Sequence, residues 1–358
     1  MKALIIHDYL DNIGGGEKLM LSLARGIKAD VATLDYNPDV VSKMGFSDVK
    51  VIGFGSTLKV PPFKQIVASL RHRLCDFRKD YDYFILSGNW AHYAGARHHP
   101  NLWYCHTPVR AFYSDYDRLS MELPLHSRLL FKAWVSVHSR FDRRSVKGLD
   151  RIVANSKNTQ SRVKRYYGLD CGIVYPGIDL KKYRFIGSGD YWLSVNRLYP
   201  EKRVDLQSDA FRLLPDERLV VVGGTLFGDH SSGYADNLMA YKPSNVEYRG
   251  RVSEEELLGL YGQCKGLICT AADEDFGMTP VEAMACGKPV VATREGGYLE
   301  SVVDDVTGVF ADANPSSLAE AVSRVGKDPV RFRRGCEIRA RDFSLESFVN
   351  GIQEKMGA

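Results

Sequence analysis

Short runs of apolar, β-favouring residues alternate along this chain with stretches in which apolar positions recur every three to four residues. The first half carries such runs at ALIIH, VATL, VKVI, YFIL, LWYC and RIVAN, and the second at YWLSV, RLVVVGG, VEYRG, GLICT, PVVAT and GVF. Strand-like runs that alternate with helical ones predict βαβ units, whose strands must lie parallel. The expected class is therefore α/β, with two successive doubly wound parallel sheets. A length of 358 residues fits two domains sharing one cleft. Pro176 and Gly177, in GIVYPGIDLKKY, punctuate the pattern just before the second series of strands. The expected division is thus residues 1–175, residues 176–341, and a terminal amphipathic helix in 342–358 that packs back onto the first domain.

Two segments of the first domain carry more positive charge than a buried helix needs. In PPFKQIVASLRHRLCDFRK, the residues Phe63, Ile66, Val67, Leu70, Leu74 and Phe77 recur at helical spacing, with Lys64, Arg71, Arg78 and Lys79 on other faces. LLFKAWVSVHSRFDRRSVK adds a second basic helix. Such helices either rest on an anionic membrane or pack on the sheet with a solvated charged face, and both readings stand at this level. Charge over the whole chain points the same way: residues 1–170 hold 26 Lys and Arg against 16 Asp and Glu, a balance of +10, and the remainder holds 22 against 28, a balance of −6. A basic half suits an anionic partner. No nucleic-acid-binding motif accompanies it, so nucleic acid is not expected as a partner.

Seven cysteines lie scattered without a CxxC pair, which favours reduced thiols over a disulfide framework or a zinc site. No apolar run approaches the ~18 residues of a membrane span, and the opening MKALIIHDYLDNIGGGEK is too acidic for a secretory signal. The expected location is the cytoplasm, with peripheral contact at the inner face of the membrane as the membrane reading of the two helices.

The chemistry concentrates in EDFGMTPVEAMACGKPVVAT, which follows the strand-like GLICT. Thr279 as N-cap, Pro280 in the first turn and Glu282 as the acid of a Thr-x-x-Glu capping box would account for Glu282 with no ligand at all, at roughly 1 kcal/mol. The same helix start would also offer free N–H groups and a positive helix end to a diphosphate. On that reading the backbone of Phe276, Gly277, Met278 and Thr279 assists the phosphates, Glu282 binds ribose hydroxyls, and Glu274 binds hydroxyls of a second sugar. A solvated surface acid is the alternative for Glu274. In SVNRLYPEKRVD, Arg197 and Lys202 follow another strand and can neutralise a diphosphate and the charge that grows on it when a glycosidic bond breaks. In NIGGGEKL, Gly14, Gly15 and Gly16 permit close approach to an anion at a helix start, although neither GxGxxG nor GxxxxGK[ST] is present. His106 stands at the end of the strand LWYC, where it either faces the cleft or is structural. Three Asp-x-Asp triplets, beginning at Asp80, Asp115 and Asp273, would suit a metal-dependent transferase but arise often by chance.

Together these elements resemble the retaining glycosyltransferases of family 4, over nearly the whole chain. The Glu-x7-Glu spacing from Glu274 to Glu282 followed by AMACGKPVVAT is the most specific part, NRLYPEKRVD is similar to the family's GRL and EKG segment, and GGGEKL to its GG-x-E opening. The resemblance implies the GT-B architecture, two Rossmann-like doubly wound parallel-sheet domains facing a central cleft, the first for the acceptor and the second for the nucleotide sugar. It implies Arg197 and Lys202 on the donor diphosphate, Glu282 on the nucleotide ribose, Glu274 on the transferred sugar, Gly14 to Gly16 close to phosphate or sugar, and His106 near the anomeric centre. Asn196 and Arg203 stand where the family usually has glycine. CHTPVRAFY is similar to a stretch in the branch that uses GDP-mannose to build lipid-linked polysaccharides. The implied reaction moves a hexose, mannose first, from a nucleotide diphosphate sugar to a glycan or lipid-linked glycan hydroxyl with retention, without metal or further cofactor. A UDP-sugar-dependent transferase of the same family and a nucleotide-sugar 2-epimerase of the same architecture are the alternatives.

Overall fold

The computed structural model describes residues 2–225 and 232–357. Two compact units emerge: residues 1–177 together with 346–358, and residues 178–345. In the first unit the strands are β1 (Ala3–Tyr9), β2 (Asp30–Leu34), β3 (Val51–Gly53), β4 (Tyr83–Ser87), β5 (Asn101–Cys105), β6 (Arg151–Ala154) and β7 (Gly172–Ile173). They form one sheet in the order β3-β2-β1-β4-β5-β6-β7, and every pairing is parallel. The second unit contains β8 (Tyr191–Val195), β9 (Arg218–Val222), β10 (Val246–Gly250), β11 (Leu267–Cys269), β12 (Val290–Thr293) and β13 (Gly308–Ala311). Its order is β10-β9-β8-β11-β12-β13, again with parallel pairings throughout.

Helices cover both faces of each sheet, which is why the central strands read as continuous apolar runs: Leu4, Ile5 and Ile6 of β1 and Leu267 and Ile268 of β11 are fully buried. In both sheets the order reverses beside the unit's first strand in sequence, between β1 and β4 and between β8 and β11. Crossover helices on the two sides of a reversal diverge, leaving the carboxyl ends of those two strands open. β7 was not expected from the sequence, because two residues, Gly172 and Ile173, are too few to show a periodicity.

The basic helix of the first unit runs Phe63–Leu74 and turns part of its large apolar set, Phe63, Leu70 and Leu74, away from the sheet. Its buried residues are Ala68, Ser69 and His72, whereas Phe63, Leu70 and Leu74 are 55%, 51% and 62% exposed. Large rings dictate this choice. Ala68 shares a buried cluster with Trp90, Tyr93 and Phe112, and the His72 ring meets Phe54 edge-on at 5.3 Å, so only small or flat side chains fit the inner face. The second basic helix, Leu125–Val146, repeats the pattern, burying Val135, His138, Ser139, Asp142, Ser145 and Val146 while Leu125, Leu129, Leu130, Val137 and Phe141 are exposed. Two of its buried polar groups, Asp142 and Ser145, are paired with side chains outside the helix. Asp142 accepts from the Tyr113 hydroxyl at 2.6 Å and from His92 Nε2 at 3.2 Å, and His92 Nδ1 lies 3.0 Å from Ser145 Oγ.

The last helix, Leu345–Gly357, buries Phe348 and Ile352. Phe348 meets Tyr104 of β5 edge-on at 5.4 Å, and Arg151 of β6 donates to the Lys355 carbonyl at 3.1 Å. Val349 fills the notch at Gly26, where an added Cβ would come within 2.8 Å of it. The terminal segment is thereby part of the first unit's core.

Candidate active site

In the second unit, the two strands at the order reversal each end in a loop that carries predicted site residues. Beyond β8 come exposed Arg197 and a single 3-10 turn, Pro200–Lys202. Beyond β11 the loop 270–277 leads into the helix Met278–Ala285. Lys202 Nζ and Glu274 Oε2 are 2.6 Å apart, with both side chains largely shielded from solvent. Thr270 joins the same two loops from below: its hydroxyl lies 2.9 and 3.0 Å from the carbonyls of Lys202 and Arg203 and accepts from Gln207 Nε2 at 2.7 Å. The Ala272 N–H donates to the Glu201 carbonyl at 2.7 Å.

The capping box expected at Thr279 does not form. Gly277 is the N-cap, at φ 83° and ψ 94°, and no side chain caps the helix. Thr279 and Pro280 sit inside the first turn, and Glu282 lies a full turn in. A left-handed glycine lets the chain enter the helix at Met278, two residues ahead of the box. Glu282 instead accepts from the Tyr261 hydroxyl at 2.7 Å, with the Tyr183 phenol nearby. Burial and the neighbouring Glu282 carboxylate push both phenols well above their usual range, so both stay protonated. Gly277 also admits the Tyr298 ring, which would stand 2.8 Å from a Cβ placed there.

A third loop, after β12, completes the arrangement. A Cβ on Gly296 would lie 2.5 Å from the Glu274 nitrogen, and one on Gly297 would lie 2.4 Å from the Phe276 Cα. Gly297 N–H donates to the Glu274 carbonyl at 2.8 Å. Glu295, just before this pair, receives both guanidinium nitrogens of Arg203 at 2.6 and 3.1 Å and the Asp273 N–H at 3.2 Å. Arg203 takes the left-handed conformation, φ 49° and ψ 47°, where glycine would be unstrained and a side chain costs about 1–2 kcal/mol. The bidentate pair with Glu295 offsets that cost.

In the first unit, Gly14 is the extended N-cap of the helix Gly15–Ile27, at φ −151° and ψ 165°. None of Gly14, Gly15 and Gly16 is left-handed, so their value lies in space and not in backbone freedom. A Cβ on Gly16 would stand 3.8 Å from His106 Cε1, which brings this helix start and the histidine together. His106 Nε2 is 2.9 Å from Ser87 Oγ, and its carbonyl accepts from the Thr159 hydroxyl at 3.1 Å.

Residues 13–182 match the family profile described as Glycosyltransferase Family 4, and residues 178–343 match the one described as Glycosyl transferases group 1. The chain is a GT-B glycosyltransferase of the family 4 type. This transferase is 26% identical to the alpha-1,3/1,6-mannosyltransferase ALG2 of Dictyostelium discoideum, over 97% of the chain and 96% of that protein. It is 28% identical to the uncharacterized glycosyltransferase MJ1178 of Methanocaldococcus jannaschii, over 57% of the chain and 58% of that protein. With the D-inositol 3-phosphate glycosyltransferase of Streptomyces bingchenggensis it shares 27% identity over 52% of the chain and 47% of the relative, so with some relatives the match spans only about half their length. Among solved structures, Anabaena Alr3699/HepE in complex with UDP and glucose superposes with a TM-score of 0.79 at 19% identity, covering 99% of each chain. Sucrose-phosphate synthase from Thermosynechococcus elongatus gives 0.78 at 15% identity over 99% of this chain and 98% of that one.

Several residues that shape these loops in the second unit went unremarked in the sequence, namely Thr270, Glu295, Gly296, Gly297 and Tyr261, as did Ser87 beside His106 in the first unit. Only the Glu-Gly-Gly triplet carried a local signal. Arg203 gives the sharpest check on this architecture. Arg203→Ala keeps the left-handed backbone and removes the ion pair, so it is expected to lower the unfolding free energy by about 1–2 kcal/mol. Arg203→Gly removes the pair and the strain together and is expected to lose ~1 kcal/mol less. Urea unfolding of both variants measures the difference, and equal losses would contradict strain at this position.

Proposed function

We propose that the transferase moves mannose from GDP-mannose to a hydroxyl of a glycan or lipid-linked glycan, with retention of configuration and without a metal ion. One arrangement carries this reading: Lys202 and Glu274 meet at 2.6 Å at the order reversal of the second sheet, beside an uncapped helix start at Gly277. The full-length similarity to a mannosyltransferase supports the choice of sugar.

On this reading Lys202, Arg197 and the N–H groups at Met278 and Thr279 hold the leaving diphosphate. Charge grows there as the bond from the anomeric carbon to phosphate oxygen breaks, and one preorganised donor of this kind is typically worth about 3 kcal/mol. Glu282, held by the Tyr261 phenol, serves the ribose hydroxyls. Glu274 serves the hydroxyls of the transferred sugar, and the three ammonium hydrogens of Lys202 allow it to keep Glu274 while contacting phosphate. The acceptor oxygen bonds to the anomeric carbon on the face the diphosphate leaves. Its proton passes to a departing phosphate oxygen, with His106 orienting the sugar and not attacking it.

The acceptor reading places the enzyme against an anionic membrane through its first unit. Among the described residues no helix is long and apolar enough to cross a membrane, so attachment would be peripheral. Helices Phe63–Leu74 and Leu125–Val146 turn Leu70, Leu74, Leu129, Leu130 and Phe141 outward. Between them they carry eight Lys and Arg and one acid, Asp142, which is buried. Apolar side chains set among cations suit a lipid interface.

Thermal shift with nucleotide diphosphates tests the donor. GDP is expected to raise the melting temperature by several degrees, because a ligand at about 100 times its Kd adds ~2.7 kcal/mol to the folded state, whereas UDP is expected to leave it nearly unchanged. Stabilisation by UDP alone would overturn the GDP-mannose reading. Sedimentation with vesicles tests the surface: binding to phosphatidylglycerol-containing vesicles that weakens with salt and with Leu129→Ser plus Leu130→Ser is expected. Equal recovery with neutral and anionic vesicles would remove the membrane from this account.

A further inference from the structure

The carboxyl ends of three adjacent strands in the first unit support one hydrogen-bonded row of side chains. His7 of β1 stands opposite Ser87 of β4 in register, and Ser87 stands beside Tyr104 of β5, two residues before His106. His7 Nδ1 is 3.1 Å from Ser87 Oγ, and Ser87 Oγ is 2.9 Å from His106 Nε2. Strand register therefore fixes the row, and no flexible loop separates its members. His7 and Ser87 are buried, while His106 is half-buried and lies against the helix start at Gly16.

A serine hydroxyl has one proton to give. When Ser87 donates to His7 Nδ1, it can only accept from His106, whose Nε2 must then carry hydrogen and whose Nδ1 presents a lone pair. When His7 Nδ1 donates to Ser87, the hydroxyl proton is freed for His106 Nε2, whose hydrogen can then sit on Nδ1. The tautomers of the two imidazoles are thus coupled through one oxygen. Burial, reinforced by the nearby His106 and His72 rings, pushes the His7 imidazole down to about 3, so it stays neutral and cannot absorb a proton meant for His106.

We propose that Ser87, backed by His7, is a positioning residue that fixes the tautomer and ring orientation of His106. The consequence for turnover rests on the reading above in which His106 orients the donor sugar. The row itself does not depend on that reading. His106 then meets the sugar with one defined nitrogen, whatever its own rotational freedom would allow.

The test uses the full chain with histidine ring nitrogens observed by NMR alongside donor kinetics. In the unaltered protein His106 is expected in a single tautomer. Ser87→Ala is expected to give mixed tautomers at His106, to shift the pH profile of kcat, and to lower kcat about tenfold or more with little change in the KM for donor. His7→Asn, whose amide keeps a partner near the Nδ1 position, is expected to fall between the two and serves should Ser87→Ala fail to fold. Unchanged ring signals and an unchanged pH profile in both variants would overturn the proposal. Full turnover by His106→Ala would instead overturn the assigned role of His106, and with it the kinetic consequence, while leaving the tautomer measurement to judge the row.

Discussion

Both halves of this chain obey the same constraint: a parallel sheet buried on two faces can offer its backbone to a ligand only where its strand order turns back on itself. Crossovers must be right-handed and must cover the sheet, so the divergence of helices at the reversal is unavoidable, and the strand ends there are the sites left open. In the second unit those ends belong to β8 and β11, and in the first to β1 and β4. Lys202, Glu274 and Gly277 follow the former pair, whereas the helix start at Gly15 and the buried Ser87 follow the latter. Chemistry concentrates where topology leaves space.

Within the second unit the open position is organised by two ion pairs of different character. Lys202 with Glu274 joins groups of opposite charge whose proposed partners also differ, phosphate for one and hydroxyls for the other. Arg203 with Glu295 is a tie between loops. It holds the β8 and β12 loops together, and through the Asp273 N–H it reaches the residue next to Glu274. Thr270 ties the β8 loop to the β11 loop from the strand side. The Lys202–Glu274 pair is therefore positioned by neighbours on three loops and not by its own contact alone.

Much of this could be read in the sequence, and the failures share a cause. The strand runs that specify two parallel sheets are local patterns, and local patterns survive without tertiary knowledge. The capping box failed because Gly277, at φ 83°, starts the helix early, a choice enforced by Tyr298 and the Gly296–Gly297 loop from elsewhere in the chain. Helical spacing located the helix Phe63–Leu74 but left its inner face open, which is decided by the aromatic wall of Trp90, Tyr93 and Phe112 against Ala68. Arg203 looked like a departure from a glycine position, yet it keeps the backbone conformation that glycine would take and adds an ion pair. Ser87 and His7 gave no signal because their meeting depends on strand register 80 residues apart.

The account stands or falls on where the diphosphate lies, and a structure of the protein with GDP bound measures that directly. Phosphate oxygens at hydrogen-bonding distance, about 3 Å, from Lys202 Nζ and from the N–H groups at Met278 and Thr279, with Glu282 on the ribose, are what the account predicts. Both phosphates found away from Lys202, Arg197 and the helix start at Gly277 would contradict it.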